Sequence, residues 1–252
     1  MQRRLQAILV LFLTILVISP VLASSSDIWV EDDFIEDNWY KTVGFAVFYE
    51  DKITLIAPST NKTEIWYKTT LDEFNNGTYP TTVYIYVKYN VTYQDVENVD
   101  QIFSILLKGS NDVTFDIGLG RYNSTKLYYQ ARCSETGATE YKSFVSSLPS
   151  EFIMSYDGNL IVFYEPDGDI IETIETTDDK YNIGTGFKEF GFNIWKTDHV
   201  DILGYAVADS LTDLTSGYAS RKTSELLYDF IPLIVAVAMV GMCVGLVKKF
   251  AR

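Results

Sequence analysis

The sequence predicts an all-β fold, an antiparallel β-sandwich held outside a membrane by one C-terminal transmembrane helix. Three observations carry this. Apolar and polar residues alternate with period two in one segment after another, the mark of half-buried strands. Two Asp-Gly pairs, Asp157-Gly158 and Asp167-Gly168, punctuate the middle of the chain where tight hairpins need positive φ. An uncharged apolar run, Phe230 to Val247, lies directly ahead of Lys248, Lys249 and Arg252.

The chain opens Met1-Gln2-Arg3-Arg4 and runs apolar from Leu5 to Val21. These are the n- and h-regions of a secretory signal, and Val21-Leu22-Ala23 after Pro20 offers a cut behind Ala23. An uncleaved signal anchor is the rival reading; Ser24-Ser25-Ser26 after the helix breaker favours cleavage. At the other end, residues 230–247 suffice to cross about 30 Å of hydrocarbon at ~1.5 Å per residue. The basic tail, residues 248–252, is expected in the cytoplasm, which puts the rest outside. Gly241 and Gly245 form a Gly-x-x-x-Gly pair, a spacing that lets two such helices approach and self-associate. Four Asn-x-Thr sequons, at Asn61, Asn76, Asn90 and Asn123, agree with an exported, glycosylated segment.

Between the ends, Glu64 to Thr69 and Gln101 to Leu107 read as strands. Val83, Ile85, Val87, Tyr89 and Val91 alternate with Tyr84, Tyr86, Lys88 and Asn90. Val113, Phe115, Ile117 and Leu119 alternate with Thr114, Asp116 and Gly118. Leu127, Tyr129, Ala131 and Cys133 share one phase, which points Cys133 into the core. Phe152–Tyr156, Asn159–Tyr164 and Ile170–Thr176 form a three-strand meander about the Asp-Gly turns, and Phe187–Trp195 and Val200–Val207 add two late strands. No amphipathic helix interrupts them, so the sandwich is expected over residues 24–208. Residues 209–229, rich in Ser, Thr and charge, read as a stalk to the membrane.

Every Asp and Glu lies between residues 24 and 229, and five of the 20 basic residues lie in the two ends. The segment between therefore holds 15 basic against 34 acidic groups, a net of −19. Such a domain repels nucleic acid at long range. Of the two cysteines, Cys243 falls in the apolar run, so Cys133 has no partner outside and a disulfide-stapled module is excluded.

The order of features Asp32-Asp33-Phe34, Asn38-Trp39, Asp51–Leu55, the meander Tyr156–Tyr164 with Asp167-Gly168, and Phe190–Trp195 followed by Asp198–Ile202 resembles the concanavalin-A-like lectin/glucanase superfamily, which includes laminin-G-like domains. The resemblance spans roughly residues 28–208 and implies a jelly-roll sandwich. That superfamily holds lectins, glycosidases, adhesion modules and structural domains, and fold does not choose among them. Membrane-anchored forms on archaeal cells or archaeal viruses suit the architecture by analogy.

Glycoside cleavage needs two carboxylates about 5–10 Å apart. The superfamily's glucanases set them on one strand as Glu-x-Asp-x-Glu, and that spacing is absent; Glu165-Pro166-Asp167-Gly168-Asp169 is a turn. The sole histidine, His199, has no nucleophile-elbow partner. Calcium is a candidate cofactor. Domains that resemble this one often hold it at loop ends, where Asp32, Asp33, Asp198 and Asp201 are candidate ligands. Carbohydrate binding needs aromatic faces and planar polar groups. The strand faces turned from the core offer Tyr84, Tyr86, Asp116, Tyr128, Gln130, Arg132, Asn193 and Trp195, which would line one concave sheet if their strands are neighbours. Tyrosines on strands are also simply good cross-strand packers. The expectation is a non-catalytic recognition or adhesion module for surface glycans or a surface protein. A structural surface coat or virion envelope protein is the alternative, and a membrane-tethered glycoside hydrolase the weaker one.

Overall fold

In the computed structural model, the residues described are 28–57, 62–94, 99–123, 126–216 and 218–219. The predicted signal peptide (1–23), the apolar run 230–247 with Gly241 and Gly245, the tail 248–252 and the Asn61 sequon lie outside them. Among the described residues no helix is long and apolar enough to cross a membrane. One compact unit, Asp27–Thr215, holds the sandwich; of the other, Met1–Ser26 with Ser216–Arg252, almost nothing is described.

Fifteen strands make the unit: β1 (Ile28–Glu31), β2 (Trp39–Val43), β3 (Phe45–Phe48), β4 (Ile53–Ile56), β5 (Lys62–Tyr67), β6 (Val83–Thr92), β7 (Gln101–Gly109), β8 (Thr114–Asn123), β9 (Lys126–Cys133), β10 (Tyr141–Val145), β11 (Glu151–Tyr156), β12 (Leu160–Tyr164), β13 (Ile170–Glu175), β14 (Phe187–Trp195) and β15 (His199–Ala208). A 3₁₀ turn at Glu36–Asn38 and a one-turn helix α1 (Leu71–Phe74) interrupt them. The strands form two antiparallel sheets. The first is ordered β13-β12-β11-β6-β15-β4-β3 with β1 beside β15; the second is ordered β10-β9-β8-β7-β14-β5-β2. The chain changes sheet between β1 and β2, β2 and β3, β4 and β5, β5 and β6, β6 and β7, β10 and β11, β13 and β14, and β14 and β15, the wrapping of a jelly roll. The predicted meander is present as β11-β12-β13, with Gly158 at φ 94° and Gly168 at φ 103° in its turns.

Alternation sets the core. Val83, Ile85, Val87 and Tyr89 of β6 face Phe103, Ile105 and Leu107 of β7, Phe115, Ile117 and Leu119 of β8, and Phe190, Phe192 and Ile194 of β14. On β15 the phase switches: Val200 and Ile202 point inward, then Tyr205 and Val207, because a bulge lies between Ile202 and Gly204. Trp39 ties the sheets together. Its ring stacks on Phe192 at 5.7 Å and meets Tyr205 of the opposite sheet edge-on at 5.6 Å, while Nε1 donates to the Asp33 carbonyl at 2.9 Å.

Two readings need correction, and the inward direction read for Cys133 holds with less burial than a core position has. Cys133 faces the core in phase with Ala131 but ends its strand and is only half-buried, donating to the Lys180 carbonyl at 3.3 Å; burial pushes its thiol pKa up. The segment read as a stalk from residue 209 begins inside the folded unit. Residues 211–215 are helical, Leu214 is fully buried, and Ser210 Oγ accepts from the Asp213 amide at 3.3 Å. This Ser-x-x-Asp pair caps the start of the helix. Finally, Tyr84 and Tyr86 stand on the first sheet, paired with Ser155 and Ile153 of β11, whereas the other six residues of the candidate binding face stand on the second sheet. Turned away from the core, the two sets point to opposite sides of the sandwich.

Candidate functional site

The outward side of the second sheet carries the densest polar chemistry among the described residues. Register builds it in rows. One runs across Lys142, Gln130, Gly118, Ser104, Asn193 and Glu64; on one flank of it are Arg132, Asp116, Leu106, Gly191 and Trp66, and on the other Phe144, Tyr128, Gly120, Ile102 and Trp195. Sequence reasoning found Asp116, Tyr128, Gln130, Arg132, Asn193 and Trp195, and these are brought together. It missed Ser104, whose signal was one hydroxyl inside the apolar run Ile102–Leu107, and Glu64, Trp66, Asp100, Lys142 and Lys196, which no local pattern marks.

Asp116 is the hub. Asn193 Nδ2 donates to its Oδ2 at 3.1 Å and to Ser104 Oγ at 3.3 Å, Gln130 Nε2 donates to its Oδ1 at 3.3 Å, and the Ser104 hydroxyl is a further donor. Desolvation raises the Asp116 carboxyl above its usual range, against the opposing pull of Ser104, Arg132 and Lys62. Gln130 and Asn193 are fully buried, yet Gln130 Oε1 and Asn193 Oδ1 receive no hydrogen bond from the described residues. Buried polar atoms are nearly always paired, so two orphan acceptors on amides that both bond Asp116 are unusual.

Over this network lies a layer of cations on aromatic rings. Arg132 reaches from β9 across β8 and β7 to the Trp195 ring on β14, with its guanidinium carbon 5.1 Å from the centroid. Gly118 and Gly120 leave that stretch of β8 without outward side chains. Tyr128 lies flat on Gly120; a Cβ there would sit 2.2 Å from its ring. The other ring face takes Lys142 Nζ at 4.5 Å, and the Tyr128 hydroxyl donates to Asp100 at 2.6 Å. Lys108 covers Trp66 at 5.1 Å. Such contacts contribute about 0.5–2 kcal/mol each. Tyr128 and Trp66 are almost wholly buried, so Trp195, half-buried, is the indole of this face that retains exposed surface.

The carboxylates around the rim are engaged. Lys142 bridges Asp100 at 3.1 Å and Glu140 at 3.5 Å, Arg132 Nε approaches Glu140 at 3.6 Å, and Lys108 pairs with Glu189 at 3.0 Å. Glu64 takes bonds from Lys62, from Trp66 Nε1 at 2.8 Å and from Thr42 at 2.8 Å. Desolvation alone would raise Glu64, but these donors hold it below its usual range; Tyr128 and Lys142 do the same for Asp100 against the same opposing desolvation.

A cleft of about 280 Å³ opens at the Trp195 end of this face, lined by Asp100, Tyr122, Arg132, Glu140, Trp195 and Lys196. A larger one, about 740 Å³, lies between the Asp157–Leu160 turn and residues 175–183. Two of its four acids are spent on backbone turns: Asp157 accepts from the Asn159 and Leu160 amides, and Asp178 from the Thr139 and Lys180 amides.

The four calcium candidates are not brought together. The Asp33 carboxylate accepts from Tyr67 Oη at 2.6 Å, Asn38 Nδ2 at 2.8 Å and the Ile35 amide at 3.2 Å. Asp32 accepts from the Tyr205 amide at 2.8 Å. Four residues away along β15, roughly 13 Å of strand, Asp201 is held by Thr54 at 2.6 Å and Lys52 at 3.1 Å, while Asp198 faces His199 at 3.2 Å. No group of three or more His, Cys, Asp or Glu suited to a metal occurs among the described residues. Of the sequons, Asn76 is exposed in a left-handed turn, Asn90 is exposed on the first sheet, away from the polar face, and Asn123 ends β8.

No family model matches the chain and no curated protein matches it. Solved structures do resemble it. A Crh5 transglycosylase in complex with NAG shares 11% identity over 71% of this chain and 83% of that one, with a TM-score of 0.48. The CBM2 module of Lactobacillus casei BL23 phage J-1 evolved Dit shares 10% over 71% and 94%, with a TM-score of 0.49. The carbohydrate recognition domain of Emp47p shares 11% over 73% and 96%, with a TM-score of 0.47. Likeness at this level leaves the chemistry to be read from the residues themselves.

Proposed function

We propose that the chain is a surface recognition module of concanavalin-A-like type, anchored by its C-terminal apolar run, that binds glycans through the outward face of its second sheet and does not cleave them. One observation carries the reading: Gln130 Oε1 and Asn193 Oδ1, buried near the Asp116 carboxylate with no donor among the described residues, on a face that also presents Trp195. Sugar hydroxyls are donors that match such acceptors, and a pyranose face packs on an indole. The rim carboxylates sit in ion pairs, which disfavours the free acid and base that glycoside cleavage needs.

The test is a glycan array probed with the full-length chain in detergent, beside Trp195→Ala and Asn193→Ala variants shown by circular dichroism to be folded. Selective binding that both variants lose supports the reading. Absence of binding to every glycan sinks it and favours a structural coat role. Turnover of a bound oligosaccharide, followed by chromatography, would overturn the non-catalytic part.

A further inference from the structure

We propose, resting on the glycan reading, that the cleft at the Trp195 end of the second sheet is a subsite for a carboxylate-bearing sugar ring, a uronic or nonulosonic acid, held between Arg132 and Lys196.

Charge makes the first argument. Residues 24–229 carry a net −19, yet Arg132, Lys142 and Lys196 gather here; the acids in the cleft wall are Asp100 and Glu140, and the buried Asp116 beneath also feels the Arg132 charge. Lys142 spans both acids, at 3.1 Å and 3.5 Å, and Arg132 reaches only Glu140, through Nε at 3.6 Å. Lys196 meets no carboxylate among the described residues; its one contact there is the Trp195 ring, 5.9 Å from Nζ. An ammonium with no carboxylate partner among the described residues adds positive charge to the cleft wall, and a cleft focuses such a field on an incoming anion.

Backbone geometry makes the second. Lys196 has φ 53°, a left-handed conformation that costs an ordinary residue and persists where surrounding structure enforces it, commonly at binding sites. Here it sets the ammonium beside the ring of the preceding residue, at the cleft wall. Arg132 supplies the complementary group: its planar fork matches a carboxylate, and its guanidinium already overlies Trp195. Size makes the third. About 280 Å³ is at the small end of ligand sites and suits one ring rather than a long chain. Tyr122 in the wall provides a hydroxyl for ring substituents.

The experiment titrates the full-length chain in detergent with galacturonate, N-acetylneuraminate and galactose, following tryptophan emission and calorimetry. Galacturonate and galactose differ only in the C6 carboxylate. The expected result is binding of at least one acid sugar tenfold or more tighter than galactose, weakened severalfold by 0.5 M salt. Lys196→Asn, a residue that tolerates the left-handed backbone, keeps the fold and is expected to lose that preference. Equal affinity for galacturonate and galactose, with N-acetylneuraminate no tighter, overturns the acid subsite and leaves the glycan reading standing. An acid preference that survives in both Lys196→Asn and Arg132→Gln overturns the location. If none of the three binds while the array shows other glycans captured, the acid subsite is wrong; if the array is also blank, both proposals fall.

Discussion

Replacing Trp39 by Ala should remove one of the aromatic ties between the two sheets. Its side chain is 4% exposed and touches Phe192 and Phe190 of β14, Tyr67 of β5 and Tyr205 of β15, with centroids 5.7, 5.8, 5.2 and 5.6 Å away. Truncating a buried aromatic to Ala costs about 3–5 kcal/mol, through lost transfer energy and the cavity left behind. The lost Nε1 hydrogen bond adds little, because the Asp33 carbonyl keeps a second donor, the Tyr205 hydroxyl at 2.8 Å. The expected loss is thus about 4 kcal/mol, a large share of the 5–15 kcal/mol typical of a domain. Trp39→Phe, which keeps a ring but not the donor, should lose about 1–2 kcal/mol. Urea unfolding followed by far-ultraviolet circular dichroism measures both, with Ile35→Ala, an exposed position, as a control expected within about 0.5 kcal/mol of the parent. A loss below about 2 kcal/mol for Trp39→Ala, with an unchanged m-value, would refute the claim that this indole joins the sheets.

Asp33→Ala should cost about 2–3 kcal/mol by leaving the Tyr67 hydroxyl and the Asn38 amide without their acceptor; adding calcium or chelator should leave the thermal midpoint unchanged, and a calcium-dependent rise would contradict the hydrogen-bonding role given to this carboxylate. Gly120→Ala should push the Tyr128 ring off β8, cost about 1–3 kcal/mol as overpacking does, and weaken glycan binding, read by the array and by melting. Asp116 has its carboxyl raised above 3.8 in the folded state, chiefly by desolvation. The folded protein therefore holds that proton more tightly than the unfolded chain, and this group's contribution to stability grows as pH falls through the raised range and is lost as pH rises through it. The difference in unfolding free energy between the parent and Asp116→Asn should accordingly shift in favour of the parent on acidification; a flat difference would show that burial does not perturb this carboxyl.

The strands that could be read in advance were those whose burial is decided by their own alternation. β6, β8 and β9 put every second residue toward the core, β14 does so from Phe190 to Ile194 beyond a bulge after Phe187, and β7 reads through despite apolar residues on both faces. Those overlooked, β1, β2, β3, β4 and β10, are short; partial exposure blurs the pattern in four of them, and β4 is buried on both faces and shows no alternation. Within the candidate site, alternation alone was enough to select Asp116, Gln130 and Asn193, polar residues in phase away from the core. Lys196 was invisible because its role comes from a single left-handed φ, and Lys142 because it acts through partners, Asp100 and Tyr128, that are distant in sequence.

The sequence by itself determined that this region is a sandwich of antiparallel strands, where its Asp-Gly hairpins turn, and which side of each regular strand faces inward. Those properties depend on neighbours one or two residues away. Only the tertiary structure decided which sheet each strand joins, because outward positions of either sheet look alike in a period-two pattern. That is why Tyr84 and Tyr86 parted from Asp116, Tyr128, Gln130, Arg132, Asn193 and Trp195. Tertiary structure also decided that Tyr128 and Trp66 are capped by lysines, and that two amide oxygens are buried without a donor from the described residues. Such facts follow from which distant strands become neighbours, and local periodicity carries no record of that choice.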